Sequence, residues 1–227
     1  MLRRISIRHK IQGLAVVIIL TCTVSFTVYH YISEKNSLLR AIDDRLYTAA
    51  YAVPMILPEG FHDRAVDAQS ISPEEQRTIL RAMSDYANQA GLKYIYSLMM
   101  TEGTMVFTSC SATPGELEKG TYTQYFDSYS SASERVKRAF TDHETQFVQE
   151  ADEFGDFRSV LIPLQTASGK TYVVGADIPT QFVRIRLRQL VVRGAGIGLI
   201  FFALFCFLAG FACGWIVMVL FQRRMES

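Results

Sequence analysis

Two long apolar segments lie near the ends of the chain and enclose a polar stretch of domain size. They cover about residues 11–32 and 194–220, and neither contains an Asp, Glu, Lys or Arg. A helix needs about 20 apolar residues to cross a hydrocarbon core of roughly 30 Å, and both segments reach that length. The pattern therefore predicts a two-pass membrane protein with one folded domain between its spans.

The predicted division has five parts. These are a cytoplasmic N-terminus at 1–10, a first transmembrane helix at 11–32, a domain with flanking helices at 33–190, a second transmembrane helix at 191–220 and a cytoplasmic tail at 221–227. The polar stretch is long enough for one hydrophobic core and short for two.

Lysine and arginine near the spans predict the orientation. Arg3, Arg4, Arg8 and Lys10 precede the first span, which favours a cytoplasmic N-terminus. Four arginines between residues 184 and 193 oppose this orientation. Because the first span usually dominates and a connection this long escapes the charge rule, we expect both termini in the cytoplasm. The domain is then extracytoplasmic, and if the cell has two membranes it is periplasmic and the protein lies in the bacterial inner membrane.

The first part of the domain has helical periodicity. Residues 33–56 contain no glycine and carry apolar residues at helical spacing, so the first membrane helix is predicted to continue into the domain. Ser72 followed by Pro73 and two acids is typical of a helix start, and this second helix is predicted to end near Gly91.

Beyond Gly91 the pattern becomes extended. The predicted strands cover residues 94–100, 105–109, 145–149, 157–165 and 171–178. A polar, tyrosine-bearing segment at 112–133 and a short helix at 134–140 separate the second strand from the third. This order predicts an α+β domain with a long N-terminal helix and an antiparallel sheet of about five strands.

Four segments of the domain read GLKYIYSLMMTEGTMVFTS, YFDSYSSASERVKRAF, EFGDFRSVLIPL and SGKTYVVGADI. Together they resemble the extracytoplasmic Cache domains, of the PDC type, found in bacterial transmembrane signalling proteins. The resemblance covers about residues 38–178 and extends to the placement between two membrane helices. It implies a PAS-like sheet and a small molecule bound between that sheet and the loop-helix segment that covers it.

The resemblance directs attention to aromatic residues that could line such a pocket. A tyrosine has an apolar body and a polar tip, which suits a small polar ligand. The alternative is that these side chains belong to the core or the surface. The candidates on the first hairpin and the covering segment are Tyr94, Tyr96, Phe107, Ser109, Tyr122, Tyr125 and Tyr129.

Arg158 and Asp177 are further candidates because each is a charge within an otherwise apolar strand. The guanidinium of Arg158 could hold a carboxylate through two hydrogen bonds. Asp177 could accept an ammonium group, as the resemblance also implies for the end of this strand. The ligand is therefore predicted to be a small molecule such as a carboxylate or an amino acid. The alternatives are an ion pair of Arg158 with Asp152 or Asp156, and a helix-capping role for Asp177.

Little in the sequence favours catalysis, a metal or a cofactor. The four histidines have no second metal ligand at a recognised spacing, and no phosphate-binding loop or nucleophile motif is present. A net charge of +1 does not favour nucleic-acid binding. Cys110 is the one cysteine between the spans, so that segment cannot form an internal disulfide.

Together these observations predict a non-enzymatic sensor that passes a signal through its membrane helices. Only residues 221–227 follow the second span, so we expect a separate effector protein. Two alternatives remain: the truncated sensor half of a histidine kinase, diguanylate cyclase or chemoreceptor, and an interaction protein within a membrane complex. The predicted partners are membrane lipid and a second copy of the chain. The homodimer rests on two pairs of glycines four residues apart, Gly194 with Gly198 and Gly210 with Gly214.

Overall fold

A computed structural model describes residues 7–225 of the chain. It contains two compact units, one of which is Leu39–Ile185. The other is formed by the described parts of Met1–Leu38 and Arg186–Ser227. The predicted tails at 1–10 and 221–227 extend beyond the described residues, and Arg3 and Arg4 lie outside them.

Six helices and five strands make up the described chain. The helices are α1 (Ile7–Ile56), α2 (Phe61–Arg64), α3 (Pro73–Gln89), α4 (Pro114–Lys119), α5 (Glu134–Asp142) and α6 (Thr180–Met225). The strands are β1 (Tyr94–Thr101), β2 (Thr104–Cys110), β3 (Gln146–Asp152), β4 (Gly155–Gln165) and β5 (Thr171–Pro179). All neighbouring strands are antiparallel, in the order β2-β1-β5-β4-β3. The predicted α+β class and the five-stranded sheet are confirmed.

Local sequence signals account for several element boundaries. The Ser72 hydroxyl accepts a hydrogen bond from the Glu75 amide at 3.2 Å, so the predicted start of α3 is confirmed. Helix α4 was not predicted, although Thr113 and Glu116 form a capping box at its start. The four-residue helix α2 was also not predicted.

The sheet of the Leu39–Ile185 unit has two buried faces. One face packs against α5 through an aromatic and aliphatic cluster that includes Leu98, Val136 and Leu161. The other face carries residues of opposite parity, such as Ile95 and Val160, which are also fully buried. Helix α1 lies on this second face, since Asp43 of α1 contacts Arg158 of β4. The sheet therefore packs against α5 on one face and against α1 on the other.

The second unit consists of the outer parts of α1 and α6. Each of these helices contains a segment that is long and apolar enough, by length and composition, to span a membrane. Within the unit, the rings of Phe26 and Phe201 meet edge to face with centroids 6.0 Å apart. A Cβ added at Gly198 would lie 2.6 Å from Oγ1 of Thr27, so this glycine permits close contact between helices of the same chain.

Candidate ligand-binding site

A cavity of about 410 Å³ opens on the sheet face that carries the aromatic cluster. Its walls come from β1, β2, β5, α4, the segment 121–129 and the turn between β3 and β4. Six aromatic side chains line it: Tyr94, Tyr96, Phe107, Tyr122, Tyr129 and Phe154. Five carboxyl side chains also line it: Glu116, Asp127, Asp152, Glu153 and Asp177.

The floor of the cavity is set by the register of β1 and β5. Tyr94 lies opposite Asp177, and Tyr96 lies opposite Gly175. The Tyr96 ring lies so close to Gly175 that an added Cβ would overlap its atoms. Glycine at this position therefore lets the Tyr96 ring cross β5 and bring its hydroxyl to Asp177.

Three tyrosine hydroxyls each donate a hydrogen bond to a carboxylate at the wall of the cavity. The pairs are Tyr94 with Glu116 at 2.5 Å, Tyr96 with Asp177 at 3.2 Å and Tyr129 with Asp152 at 2.5 Å. The six residues belong to the sheet, α4 and the covering segment, so tertiary structure assembles every pair. Hydrogen bonds of this kind fix both the ring and the carboxylate in position.

The covering segment is attached to β2 through backbone hydrogen bonds. The Phe107 amide donates to the Asp127 carbonyl at 2.9 Å, and the Phe126 amide donates to the Phe107 carbonyl at 2.7 Å. The Tyr129 amide then donates to the Met105 carbonyl at 2.8 Å. This pairing holds the ring of Tyr129 against Phe107, with centroids 4.9 Å apart.

Two carboxylates are held by the local structure around them. Oε2 of Glu116 accepts hydrogen bonds from the Thr113 amide and hydroxyl at 2.7 and 2.8 Å. Oδ1 of Asp152 accepts hydrogen bonds from the amides of Phe154 and Gly155 at 2.9 and 3.2 Å. Both acids therefore hold a turn or a helix start with one oxygen and bind a tyrosine with the other.

Burial and hydrogen bonding change the acidity of these groups in opposite directions. Burial raises the pKa of Asp177 to about 7, although hydrogen bonds from Ser159 and Tyr96 oppose the change. Desolvation also acts to raise the pKa of Glu116, but hydrogen bonds from Tyr94 and Thr113 outweigh it and lower this pKa below its usual value. A carboxyl group with the pKa of Asp177 changes its protonation near neutral pH.

Six of the nine residues proposed from the sequence line this cavity: Tyr94, Tyr96, Phe107, Tyr122, Tyr129 and Asp177. Three lie elsewhere. Arg158 lies on the opposite sheet face and pairs with Asp43. Ser109 hydrogen-bonds Ser97 at 2.7 Å, next to a β-bulge. Tyr125 donates to the Asp67 carbonyl at 2.9 Å.

The structure thus shows the alternative considered for Arg158, a structural ion pair, but the partner is Asp43 and neither Asp152 nor Asp156. Asp156 instead accepts hydrogen bonds from Thr180 at 2.7 Å and Arg184 at 2.8 Å, at the start of α6. Asp152 binds Tyr129.

Sequence reasoning missed several lining residues, notably Glu116, Asp127, Asp152, Glu153, Phe154 and Cys110. A signal for Glu116 was present, because threonine followed three residues later by glutamate is typical of a helix start. No comparable signal marks Asp127 or Glu153. Their place at the cavity depends on how the covering segment and the β3–β4 turn fold.

No protein-family model and no curated protein matches this sequence. Among solved structures, the sensory domain of the Campylobacter jejuni chemoreceptor Tlp3 (CcmL) matches with a TM-score of 0.51 and 9% identity. The match covers 75% of this chain and 66% of that one. The central domain therefore shares its fold with this sensory domain. The Cache-like, PAS-like fold predicted from the sequence is thereby confirmed.

Two further solved structures match with lower TM-scores. The Tlp3 ligand-binding domain in complex with 4-methylisoleucine matches with a TM-score of 0.47 and 13% identity, over 73% of this chain and 62% of that one. The Escherichia coli DcuS sensor domain matches with a TM-score of 0.42 and 14% identity, over 66% of this chain and 96% of that one. The chain thus spans slightly less than two thirds of the Tlp3 domains.

Proposed function

We propose that the protein is a membrane-anchored sensor that binds a small organic cation outside the cytoplasm and signals to a separate effector. One observation carries this proposal: the cavity is lined by five carboxyl and six aromatic side chains. None of the residues that line it, all within the described chain, is a Lys, Arg or His. An ammonium group complements both features, because carboxylates attract it directly and aromatic faces attract it through their quadrupoles.

The same composition disfavours a ligand whose only charge is a carboxylate. Such a ligand would be repelled by Glu116, Asp152 and Asp177 and would find no cationic side chain among the lining residues. An amino acid carries both an ammonium group and a carboxylate, so we expect its affinity to lie between those of an amine and a simple carboxylate. The Tlp3 domain has been solved with 4-methylisoleucine, so amino acids belong in the experimental panel.

The short connection between the cavity and α6 supports a signalling role. Asp177 lies on β5, which ends at Pro179, and α6 begins at Thr180. Helix α6 then continues to Met225 and includes one of the two segments apolar enough to span a membrane. A ligand acts on this helix by binding more tightly to one of its arrangements than to another.

Thermal unfolding of the full chain in phosphatidylcholine nanodiscs tests the proposal. Ligands that bind only the native state raise the melting temperature in a saturable way. We expect amines to do so, with weaker effects from amino acids and none from simple carboxylates. Glu116→Gln should reduce the rise in melting temperature that amines cause. Glu118→Gln should not, because Glu118 is an exposed residue of the same helix that does not line the cavity. A response to carboxylates alone would refute the proposed ligand class.

Homodimer formation stays a prediction, and one feature of α1 favours it. Tyr47, Tyr51 and Met55 follow one another at four-residue spacing and are 42%, 46% and 79% exposed. Such a stripe is suited to contact with a second helix. Chemical crosslinking of a Tyr51→Cys variant in nanodiscs loaded at varying protein density tests it, with Glu34→Cys as the comparison.

A further inference from the structure

We propose that the ligand carries at least two separated ammonium groups and no carboxylate, as a linear aliphatic diamine or polyamine does. This inference rests on the proposed function, because it specifies the cation bound in the same cavity. It derives from the way the carboxyl groups are distributed, which a single positive charge does not match.

The carboxyl groups that line the cavity come from different elements of the domain. Glu116 comes from α4, Asp177 from β5 and Asp152 from the end of β3. Strands β5 and β3 are two positions apart in the sheet, so the backbones at Asp177 and Asp152 are separated by about 10 Å or more. Among the described residues, no three His, Cys, Asp or Glu side chains are placed to hold one metal ion. The acids therefore reach the cavity from well-separated backbone positions, and no three of them meet at one point suited to a metal ion.

These acids are bound by neutral partners within the domain. Glu116, Asp152 and Asp177 each accept a hydrogen bond from a tyrosine. The ion pairs found in the domain use other acids, namely Asp43, Glu75, Glu134, Glu150 and Asp156. Lys93 affects Glu116 through its charge but does not line the cavity.

Repulsion among the acids remains when only one positive charge is bound. Burial is the main cause of the raised pKa of Asp177, and the negative charge of Asp152 adds to it. A single ammonium group at Asp177 would leave Glu116 and Asp152 without a cation. A second ammonium group on the same molecule would neutralise another of these acids, and Asp127 and Glu153 at the exposed rim would attract such a ligand from solution.

The space between the acids is suited to a hydrocarbon chain. The rings of Tyr96, Phe107, Tyr129 and Phe154 form a contiguous aromatic surface, with neighbouring centroids 4.9 to 5.9 Å apart. Methylene groups pack well on such a surface and need no hydrogen-bond partners. The volume of about 410 Å³ lies within the range of ordinary small-molecule sites.

Isothermal titration calorimetry with matched probes tests this inference on the full chain in phosphatidylcholine nanodiscs, whose zwitterionic lipid gives polyamines no anionic surface to bind. The probes are 1,5-diaminopentane, n-pentylamine, 5-aminopentanoic acid and spermidine. We expect the diamine to bind at least about tenfold more tightly than the monoamine, as one additional charge-assisted hydrogen bond would give. The aminopentanoic acid should bind more weakly than the monoamine.

The outcomes separate this inference from the proposed function. If n-pentylamine binds as tightly as the diamine and spermidine, the cation sensor stands and the requirement for two charges is overturned. If the aminopentanoic acid binds most tightly, the absence of a ligand carboxylate is overturned. If no amine binds to a folded protein, both proposals fail. Asp152→Asn adds a second readout, because it should weaken diamine binding more than monoamine binding.

Discussion

The guanidinium group of Arg158 forms two hydrogen bonds with the carboxylate of Asp43, at 2.6 and 2.7 Å. This pair joins β4 to α1 on the sheet face opposite the cavity. Arg158 therefore holds a carboxylate with the geometry that its residue type favours, but that carboxylate belongs to the same chain. The pair is a structural connection between the sheet and the long helix.

Replacing Arg158 by Met should lower the free energy of unfolding and leave amine binding unchanged. Both side chains are about one fifth exposed, at 18% and 23%, so we expect a loss of about 1–3 kcal/mol. Urea denaturation of the Arg158→Met, Asp43→Asn and double variants checks this, since the two single effects should not add. Loss of ligand affinity at unchanged stability would contradict the structural role.

Ligand affinity should increase with pH between about 5 and 8 through Asp177. An ammonium group binds the ionised carboxylate, whereas the pKa of about 7 keeps much of Asp177 protonated in the empty site below neutral pH. The groups that bond to Asp177 or act on it are Tyr96, Ser159 and Asp152. Calorimetric titrations across this range should show the trend for the unmodified chain and a weak, flatter response for Asp177→Asn. A flat profile in the unmodified chain would exclude this coupling.

Replacing Asp177 by Asn should stabilise the ligand-free protein at high pH. Because the folded pKa of Asp177 exceeds the ordinary aspartate value of 3.8, the folded state binds more protons between these two values, and stability falls as pH rises toward and through 7. Asp177→Asn cannot ionise and avoids that loss. Its melting temperature at pH 8 should therefore exceed that of the unmodified chain in the absence of ligand. A melting temperature below that of the unmodified chain would show that the ionised carboxylate of Asp177 is well solvated.

Acid should destabilise the domain through His62. This side chain is 5% exposed, stacks on Tyr172 at 3.8 Å, and its buried Nε2 has no hydrogen-bond partner in the described structure. Burial lowers the pKa of His62 to about 4, against 6.5 for the free side chain. The unfolded state therefore binds the proton first, and stability is lost as pH falls from 6.5 toward 4. His62→Phe should reduce this loss in denaturation experiments, and an unaltered pH profile would contradict the assignment.

Gly175→Ala should disturb the cavity by displacing the Tyr96 ring. The added methyl group would overlap that ring, and such overpacking costs about 1–3 kcal/mol. We expect lower stability together with weaker amine binding, because the hydroxyl of Tyr96 also leaves Asp177. Gly115→Ala is the matched control, since no heavy atom lies within 4 Å of its added Cβ. Equal stability and equal amine binding of the two variants would show that the Tyr96 ring moves aside without cost.

Periodicity predicted the strands because each buried face repeats every second residue along the sequence. The same alternation placed Tyr94 and Tyr96 at the cavity, whereas Asp177 was a candidate because it is a charge within an otherwise apolar strand. The alternation failed at Ser109, because the bulge between Ser97 and Leu98 shifts the register by one position.

Sequence periodicity could not predict contacts between residues that are far apart in the chain. Asp43 and Arg158 are 115 positions apart, and Tyr94 meets Glu116 only because α4 folds beside β1. Neither partner carries a local signal for the other. The acidic character of the site, which determines the ligand class, emerged only when four separate segments came together.

The reactivity of the Cys110 thiol depends on the state of the cavity. Cys110 lines the cavity, and the segment 39–185 contains no other cysteine. Burial raises the pKa of its thiol, so it is protonated at neutral pH and reacts slowly with alkylating reagents. A bound molecule would block access to that sulfur, whereas an opened cavity would expose it. The modification rate of Cys110 itself, resolved from that of the other cysteines by peptide mass spectrometry, is therefore expected to report whether the site is occupied.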